Sequence, residues 1–397
     1  MGQPKFFVRT VQALFTSFFS TLFADNGFLA LSLAEKNQYK VGPRLVARLA
    51  GSEFPNPVGC LHGRVRLRAN AMIVITGGAG FIGSCVQAAL QRKGLKTAIV
   101  DWLGLEGKWK NLAGHEPEHF VLPEEMESFL AAHQKEIEAI IHMGAISETT
   151  AQDGDLVFKT NVRLSQVLWQ WCARFQKKFI YASSAATYGG AFRDEEFADG
   201  LESLSTLHPL NLYGWSKHVF DTYVRQEVAL GQIPSQWVGL KFFNVYGPNE
   251  YHKGKMISVI KVKYDEICRG ISPRLFRSDR EGLADGAQAR DFIWVGDIVA
   301  LIEWLLDHPE VNGLYNCGTG HARTYLDLAH AVCEAAGVPR KVEFIEMPEA
   351  LKGQYQSYTC ADMHRLRKAG YHAAFTSLEE GIQRYVTQYL AQGCKGF

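Results

Sequence analysis

The chain has 397 residues, of which 47% are apolar and 21% charged, and a formal net charge of +1. That length accommodates two domains, or one domain with a tail, and the composition is that of a soluble globular enzyme. A balanced charge creates no overall field for nucleic acid or an anionic membrane, so neither is expected as a partner, and an anionic substrate would need a local basic patch.

The first seventy or so residues differ in character from the rest: Phe-rich "FFVRTVQALFTSFFSTLFADNGF" gives way to basic "GRVRLRAN". The uncharged run from Val11 to Ala24 is too short and too polar to span a bilayer. Lys5 and Arg9 ahead of it resemble a weak signal peptide, but the preferred reading takes residues 1–71 as an extension of poor order and Met72 as the working start. From there short apolar runs alternate with helical stretches. "MIVIT" (72–76), "TAIVD" (97–101), "AIIHM" (139–143), "KFIYASS" (178–184) and "WVGLKFF" (237–243) read as buried strands. A helix follows the first to about Arg92, and "DLVFKTNVRLSQVLWQWCARF" and "WSKHVFDTYVRQEVAL" read as helices. The alternation predicts an α/β protein with a doubly wound parallel sheet, a Rossmann domain over residues 72–243 to which 291–318 returns. Residues 244–290 and 319–397 then form a smaller α/β substrate-binding cap over the sheet's carboxyl edge. Eight cysteines are scattered without C-x-x-C spacing or clustered histidines. That pattern predicts neither a disulfide framework nor a metal site, and points to reduced thiols in the cytoplasm.

"TGGAGFIG" follows the first strand and opens a helix, placing Gly77, Gly80 and Gly83 in G-x-x-G-x-x-G spacing around Phe81 and Ile82. Such glycines let backbone N–H groups approach a pyrophosphate at a helix N-terminus. Asp101, followed by Trp102, ends the next strand, where a carboxylate bonds a ribose 2′-hydroxyl and favours NAD. Lys108, seven residues on, could neutralise a 2′-phosphate, which leaves NAD and NADP both open. The stretch Met143, Gly144, Ala145, Ile146, Ser147 after the third strand should flank the same dinucleotide, and Asn161 could hydrogen-bond there. Further on, Tyr213 and Lys217 stand at i, i+4 on one helix and face the same way. An ammonium and an oxidised nicotinamide beside a phenol both favour its phenolate, which makes Tyr213 a candidate base. Lys217 can also bond the nicotinamide ribose, and Ser184 at a strand end can hold a substrate hydroxyl.

These residues resemble the extended short-chain dehydrogenase/reductase family. The stretches "YASSAATYGG", "PLNLYGWSKHVFDTYVRQ", "KFFNVYGPNEYHKGKM", "ARDFIWVGD" and "LKGQYQSYT" are similar to its nucleotide-sugar epimerases, from Met72 nearly to the C-terminus. Within that family the resemblance implies NADP-dependent inversion at C6 of ADP-D-glycero-β-D-manno-heptose, feeding the inner core of lipopolysaccharide, by a homo-oligomer that could be a pentamer. It puts Tyr213 and Lys253 on the two acid/base positions, with Ser184 and Lys217 beside them. It puts Asn244, Arg290, Tyr355 and Phe276 on substrate positions. Lys108, Asn161 and Val245 fall on cofactor positions, with Lys253 also close to the dinucleotide, which tips the choice to NADP. Lys255 stands where the family commonly has a substrate-facing serine, and Val262 where some members have a histidine.

A second proton-carrying group has a physical reason. A carbon oxidised by hydride transfer and reduced again on its other face must turn beneath a fixed cofactor. Its oxygen then leaves the reach of the first base, because proton transfer needs hydrogen-bond contact. A nucleotide-sugar 4-epimerase on the same fold would not need Lys253. A 4,6-dehydratase needs acidic groups where this chain has Ala185 and Ala186. A non-catalytic NADP-binding sensor would have lost the tyrosine or the lysine.

Overall fold

"MIVIT" is apolar at every position because it is covered on both faces: all five residues are buried. That is the pattern of a central parallel strand rather than of a half-exposed one. In the computed structural model, which describes residues 71–348 and 357–397, this strand is β1 (Met72–Thr76). β2 (Lys96–Val100), β3 (His119–Val121), β4 (Ile137–His142), β5 (Lys178–Ser184) and β6 (Gln236–Phe242) follow. Next come β7 (Asn244–Tyr246), β8 (Arg274–Phe276), β9 (Ala289–Trp294), β10 (Gly313–Cys317), β11 (Ala322–Thr324) and β12 (Glu343–Ile345). The seven-stranded sheet runs β10-β6-β5-β4-β1-β2-β3, with every pairing parallel. The order grows one way from β1 through β3 and then resumes on the other side with β4. The crevice between β1 and β4 is therefore the topological switch point, where ligands of open α/β sheets bind.

The smaller strands form a three-stranded sheet, β11-β9-β7, and a two-stranded one, β12-β8. Two apolar cores accompany this division. One packs the large sheet against its helices through Trp169, Phe179, Tyr181 and Trp237. The other gathers Tyr246, Trp294, Tyr325 and Tyr385. All described residues fall in the compact unit His62–Phe397. The expected extension over residues 1–71 lies, apart from Ala71, outside the described residues.

The strands expected from sequence appear within one or two residues of their expected bounds, and β3 and β10 join them at the two edges. The helices that matter for the site are α1 (Phe81–Arg92), α2 (Leu164–Phe175) and α3 (Leu212–Ala229). α3 starts at Asn211 because its side chain accepts from the Gly214 N–H at 2.9 Å. The helix expected over 155–175 is interrupted by a π turn at Phe158–Arg163. No described helix is long and apolar enough to cross a membrane, and no described group of His, Cys, Asp and Glu could hold a metal.

Trp169 is fully buried and packs edge-on against Phe179 and Trp237. Truncating it leaves a large cavity between α2 and the sheet, so Trp169→Ala should lower the unfolding free energy by about 3–5 kcal/mol, measured by urea denaturation.

Candidate active site

The carboxyl ends of β1 and β4 set the floor of a cleft of about 860 Å³. Gly77 has φ +66°, and a Cβ there would sit 2.6 Å from the Gly144 backbone; one at Gly83 would sit 2.3 Å from the Gly77 carbonyl oxygen. Only glycine permits this approach of the two loops. α1 begins directly above, with no side-chain cap at Gly80 and no acidic residue in its first turn. A helix start so exposed to the cleft suits an anionic group.

Asp101 anchors the far side. Its Oδ2 accepts from the Ala79 N–H at 3.0 Å, and its Oδ1 accepts from Lys108 Nζ at 2.7 Å. A carboxylate and an ammonium therefore stand together at the end of β2, both bordering the cleft beside Trp102. The close-packed glycine floor, the uncapped helix start and this pair fit a dinucleotide.

The loop from Met143 to Ser147 lines the cleft, held from behind. Asn161 grips both backbone groups of Ile146, accepting from its N–H at 2.8 Å and donating to its carbonyl at 2.9 Å. It also donates to Ser216, which donates to the Tyr213 carbonyl. Asn161 is thus buried beneath the loop and does not itself line the cleft. The π turn that carries it aims its side chain inward, away from the surface of a regular helix. Ser165 donates to the Asn161 carbonyl at 2.6 Å, so it accepts from His142 Nε2 at 2.8 Å. That leaves His142 Nδ1 to accept from the Thr76 hydroxyl at 2.6 Å. His142 is neutral: burial first, and the nearby Lys217 second, push its pKa down to about 3.

Ser184, Tyr213 and Lys217 border the same cleft. Lys217 is buried, donates to the Ala182 carbonyl at 2.8 Å and lies 6.0 Å from the centre of the Tyr213 ring. Burial lowers its pKa to about 8 against the raising influence of Asp221. The phenol of Tyr213 is raised, chiefly by burial, with a hydrogen bond to Ser184 opposing. In the chain by itself, then, burial outweighs the pull toward phenolate expected from the neighbouring ammonium.

Lys253 comes from the loop after β7, lines the cleft, and lies 5.4 Å from the centre of the Phe81 ring. Burial lowers its pKa, with Glu250 opposing. Glu250 is itself fully buried and pins this loop: it accepts from the Ser258 N–H at 2.7 Å, the Ser258 hydroxyl at 2.6 Å and the Tyr385 hydroxyl at 2.8 Å. His252 also faces the cleft, its pKa pushed down to about 4 first by burial and then by Lys108 and Lys253.

Asn244 and Val245 line the cleft with this set. Arg290 does not: it is buried on β9, 5.7 Å from the centre of the Tyr325 ring, and Tyr325 is the residue that borders the cleft. Phe276 on β8 and Lys255, exposed on the turn Gly254–Met256, also lie outside the cleft lining. Tyr355 lies outside the described residues. The sequence reading passed over His252, Glu250 and Asp221. Only Asp221 carried a local signal, standing four residues after Lys217 on the same helix face.

A parallel sheet with a dinucleotide cradle at its switch point, and a Tyr-x-x-x-Lys pair beside it, defines an enzyme that works on a hydroxyl-bearing carbon with a nicotinamide dinucleotide. A family model described as the NAD dependent epimerase/dehydratase family matches residues 73–318. The chain is 46% identical over 323 residues to the ADP-L-glycero-D-manno-heptose-6-epimerase of Nitratidesulfovibrio vulgaris, covering 81% of this chain and 98% of that one. It is 42% identical over 330 residues to the like-named protein of Fusobacterium nucleatum, with the same coverage of 81% and 98%. The solved structure of the Helicobacter pylori ADP-L-glycero-D-manno-heptose-6-epimerase superposes with a TM-score of 0.68 at 27% identity, covering 80% of this chain and 96% of that one. This chain belongs to the NAD dependent epimerase/dehydratase family and is an isomerase of the epimerase class.

The neutral, buried His142 has a consequence for acid stability. Its folded pKa lies below its unfolded value of 6.5, so the stabilisation is complete above that pH and is lost as pH falls toward 3. The unfolding free energy should drop by about 1.4 kcal/mol per pH unit across that window, a slope that His142→Gln should lack when both proteins are denatured with urea at stepped pH.

Proposed function

We propose that this chain inverts C6 of ADP-D-glycero-β-D-manno-heptose, giving ADP-L-glycero-β-D-manno-heptose for the lipopolysaccharide inner core, with NADP, as a cytoplasmic homo-oligomer. The observation that carries the reading is that two proton-carrying side chains, Tyr213 and Lys253, border one cleft from separately anchored elements. The names of relatives that span 98% of their own length against this chain support the substrate.

Bound nicotinamide supplies a reversible hydride acceptor. Ser184 and Tyr213 would hold the C6 hydroxyl, and Tyr213, as phenolate once an oxidised nicotinamide lies beside it, would take the proton that the hydroxyl gives up. Lys217 would keep positive charge beside the phenol and would be the residue to hold the nicotinamide ribose. The substrate would pass through a transient 6-ketone that turns about the C5–C6 bond and presents its other face. Its oxygen then points away from Tyr213, and Lys253 serves as the proton partner there. Asn244 and the bordering Tyr325, backed by Arg290, contact the substrate. Lys108 would hold the 2′-phosphate of NADP, and its ion pair with Asp101 would limit that carboxylate's repulsion of the phosphate.

Tyr213→Phe and Lys253→Ala should each lower inversion by roughly 10²–10⁴-fold while NADP still binds, as read by separating the epimers and by cofactor fluorescence. Near-parental inversion by Lys253→Ala would make Lys253 a structural or phosphate-contacting residue. Lys108→Ala should weaken NADP by about tenfold to a hundredfold and leave NAD nearly unchanged in calorimetric titrations. Equal losses for both dinucleotides would remove the case for NADP.

A further inference from the structure

One turn beneath Lys217 lies a charged pair that the proposed reaction does not use. Asp221 and Lys241 are both fully buried, with Lys241 Nζ 3.5 Å from Asp221 Oδ2. Asp221 Oδ1 accepts from the Tyr181 hydroxyl at 3.0 Å, and Oδ2 from the Ser183 hydroxyl at 2.7 Å. Lys241 also donates to the Thr187 hydroxyl at 2.7 Å and sits 4.6 Å from the centre of the Tyr188 ring. A buried ion pair is weak evidence for stability, because apolar residues of similar volume often serve as well. Its place is more telling. Asp221 stands at i+4 from Lys217 and at i+8 from Tyr213 on α3, so all three share one helix face directed at the sheet.

We infer that Asp221, with Lys241 as its counter-ion, is a positioning residue that holds Lys217 in its charged form from below the active site. The inference rests on the roles proposed for Tyr213 and Lys217. In a dry interior a carboxylate one turn away acts on an ammonium with little screening. The charged and titratable groups around it come from every neighbouring element: Lys217, Tyr213 and His218 on α3, Tyr181 on β5, Lys241 on β6, Tyr188 from the turn after β5, and His142 on β4. Of these, His142 is neutral, Tyr181 and Tyr188 are held as phenols, and Asp221 is the carboxylate acting on Lys217. The same charge also raises the Tyr213 phenol. Asp221 therefore favours a resting state with Lys217 as ammonium and Tyr213 protonated. Removing it lowers both groups' pKa values, which displaces the whole pH profile toward acid. A packing defect would instead lower the rate alike at every pH.

The test compares Asp221→Asn, which keeps the shape, with Asp221→Asn/Lys241→Met, which also removes the stranded cation. Each protein, free of substrate, is followed by NMR of ¹³Cε-lysine, the Lys217 signal being identified by its loss in Lys217→Met. In the parent it should titrate near 8. In Asp221→Asn the midpoint should fall by about one unit or more, and in the double variant, which also loses a repelling cation, it should fall by less; the inversion profile should move the same way, with roughly tenfold loss on the alkaline side for Asp221→Asn. An unchanged midpoint in either folded variant overturns the inference, and so does failure of both to fold, which would make Asp221 a residue of the core alone. Should Lys217→Met still invert substrate, the catalytic role of Lys217 fails, while the effect of Asp221 on its titration is judged separately.

Discussion

Where β1 and β4 leave the sheet, two backbones approach so closely that no side chain fits between them. A Cβ on Gly77 would fall 2.6 Å from the Gly144 backbone, well inside van der Waals contact, and one on Gly83 would clash with the Gly77 carbonyl. This steric exclusion does more than form a tight turn. It brings the Thr76 hydroxyl to the Gly144 N–H at 3.3 Å, aims the start of α1 at the cleft, and puts the Ala79 N–H on the Asp101 carboxylate. The floor of the site is therefore made of backbone, fixed by packing that cannot relax locally. Side chains with chemical roles are hung around it, from strand ends, α3 and the loop after β7.

Beneath that floor a single hydrogen-bonded path runs from Thr76 through His142, Ser165, Asn161 and Ser216 to the backbone of Tyr213. Each member is buried, and each has a partner on both sides. In a low-dielectric interior such a path is costly to break at any point, because it strands a polar group without water. The glycine loop and the helix that carries Tyr213 and Lys217 are thus tied through side chains as well as through the sheet. The neutral state of His142 belongs to the same logic: a charged imidazole there would be desolvated by burial and repelled by Lys217.

The parallel strands were legible because burial on both faces writes an unbroken apolar run, and the glycine loop because its spacing has a steric cause. β3 was not, since His119–Val121 is short and half exposed at the sheet edge. The π turn at Phe158–Arg163 leaves no mark in the 3.6-residue apolar spacing, so Asn161 could be seen as a candidate but not as a clamp behind the Met143–Ser147 loop. Asp101 and Lys108 were visible as separate residues; that they pair depends on the turn at Lys108–Leu112 folding back. Arg290, Phe276 and Lys255 show the other limit. Their motifs were evident, yet which side chains line the cleft depends on long-range packing: of β8 and β9 for Phe276 and Arg290, and of the turn Gly254–Met256 for Lys255. Glu250 lay inside a stretch singled out for its lysines, and only the arrival of Tyr385 from far along the chain reveals why a buried carboxylate belongs there.

That last contact bears on how an inverting site can hold two proton partners in register. Tyr213 sits on a helix packed against the large sheet and its core. Lys253 sits on a loop whose anchor, Glu250, is bonded to Tyr385 of the second core. Neither side chain depends on the other for its place. In the proposed reaction the substrate turns between them, and the two walls that would border it are braced by different apolar cores. The aromatic face of Phe81, on the first turn of α1 and beneath the Lys253 ammonium, joins the two walls at the dinucleotide. A cation held over a ring in this way is oriented without being neutralised by a carboxylate, which suits the proton-carrying role proposed for Lys253. The architecture is compatible with the proposed division of labour: Tyr213 is braced by the core of the large sheet, and the loop of Lys253 by the second core through Tyr385.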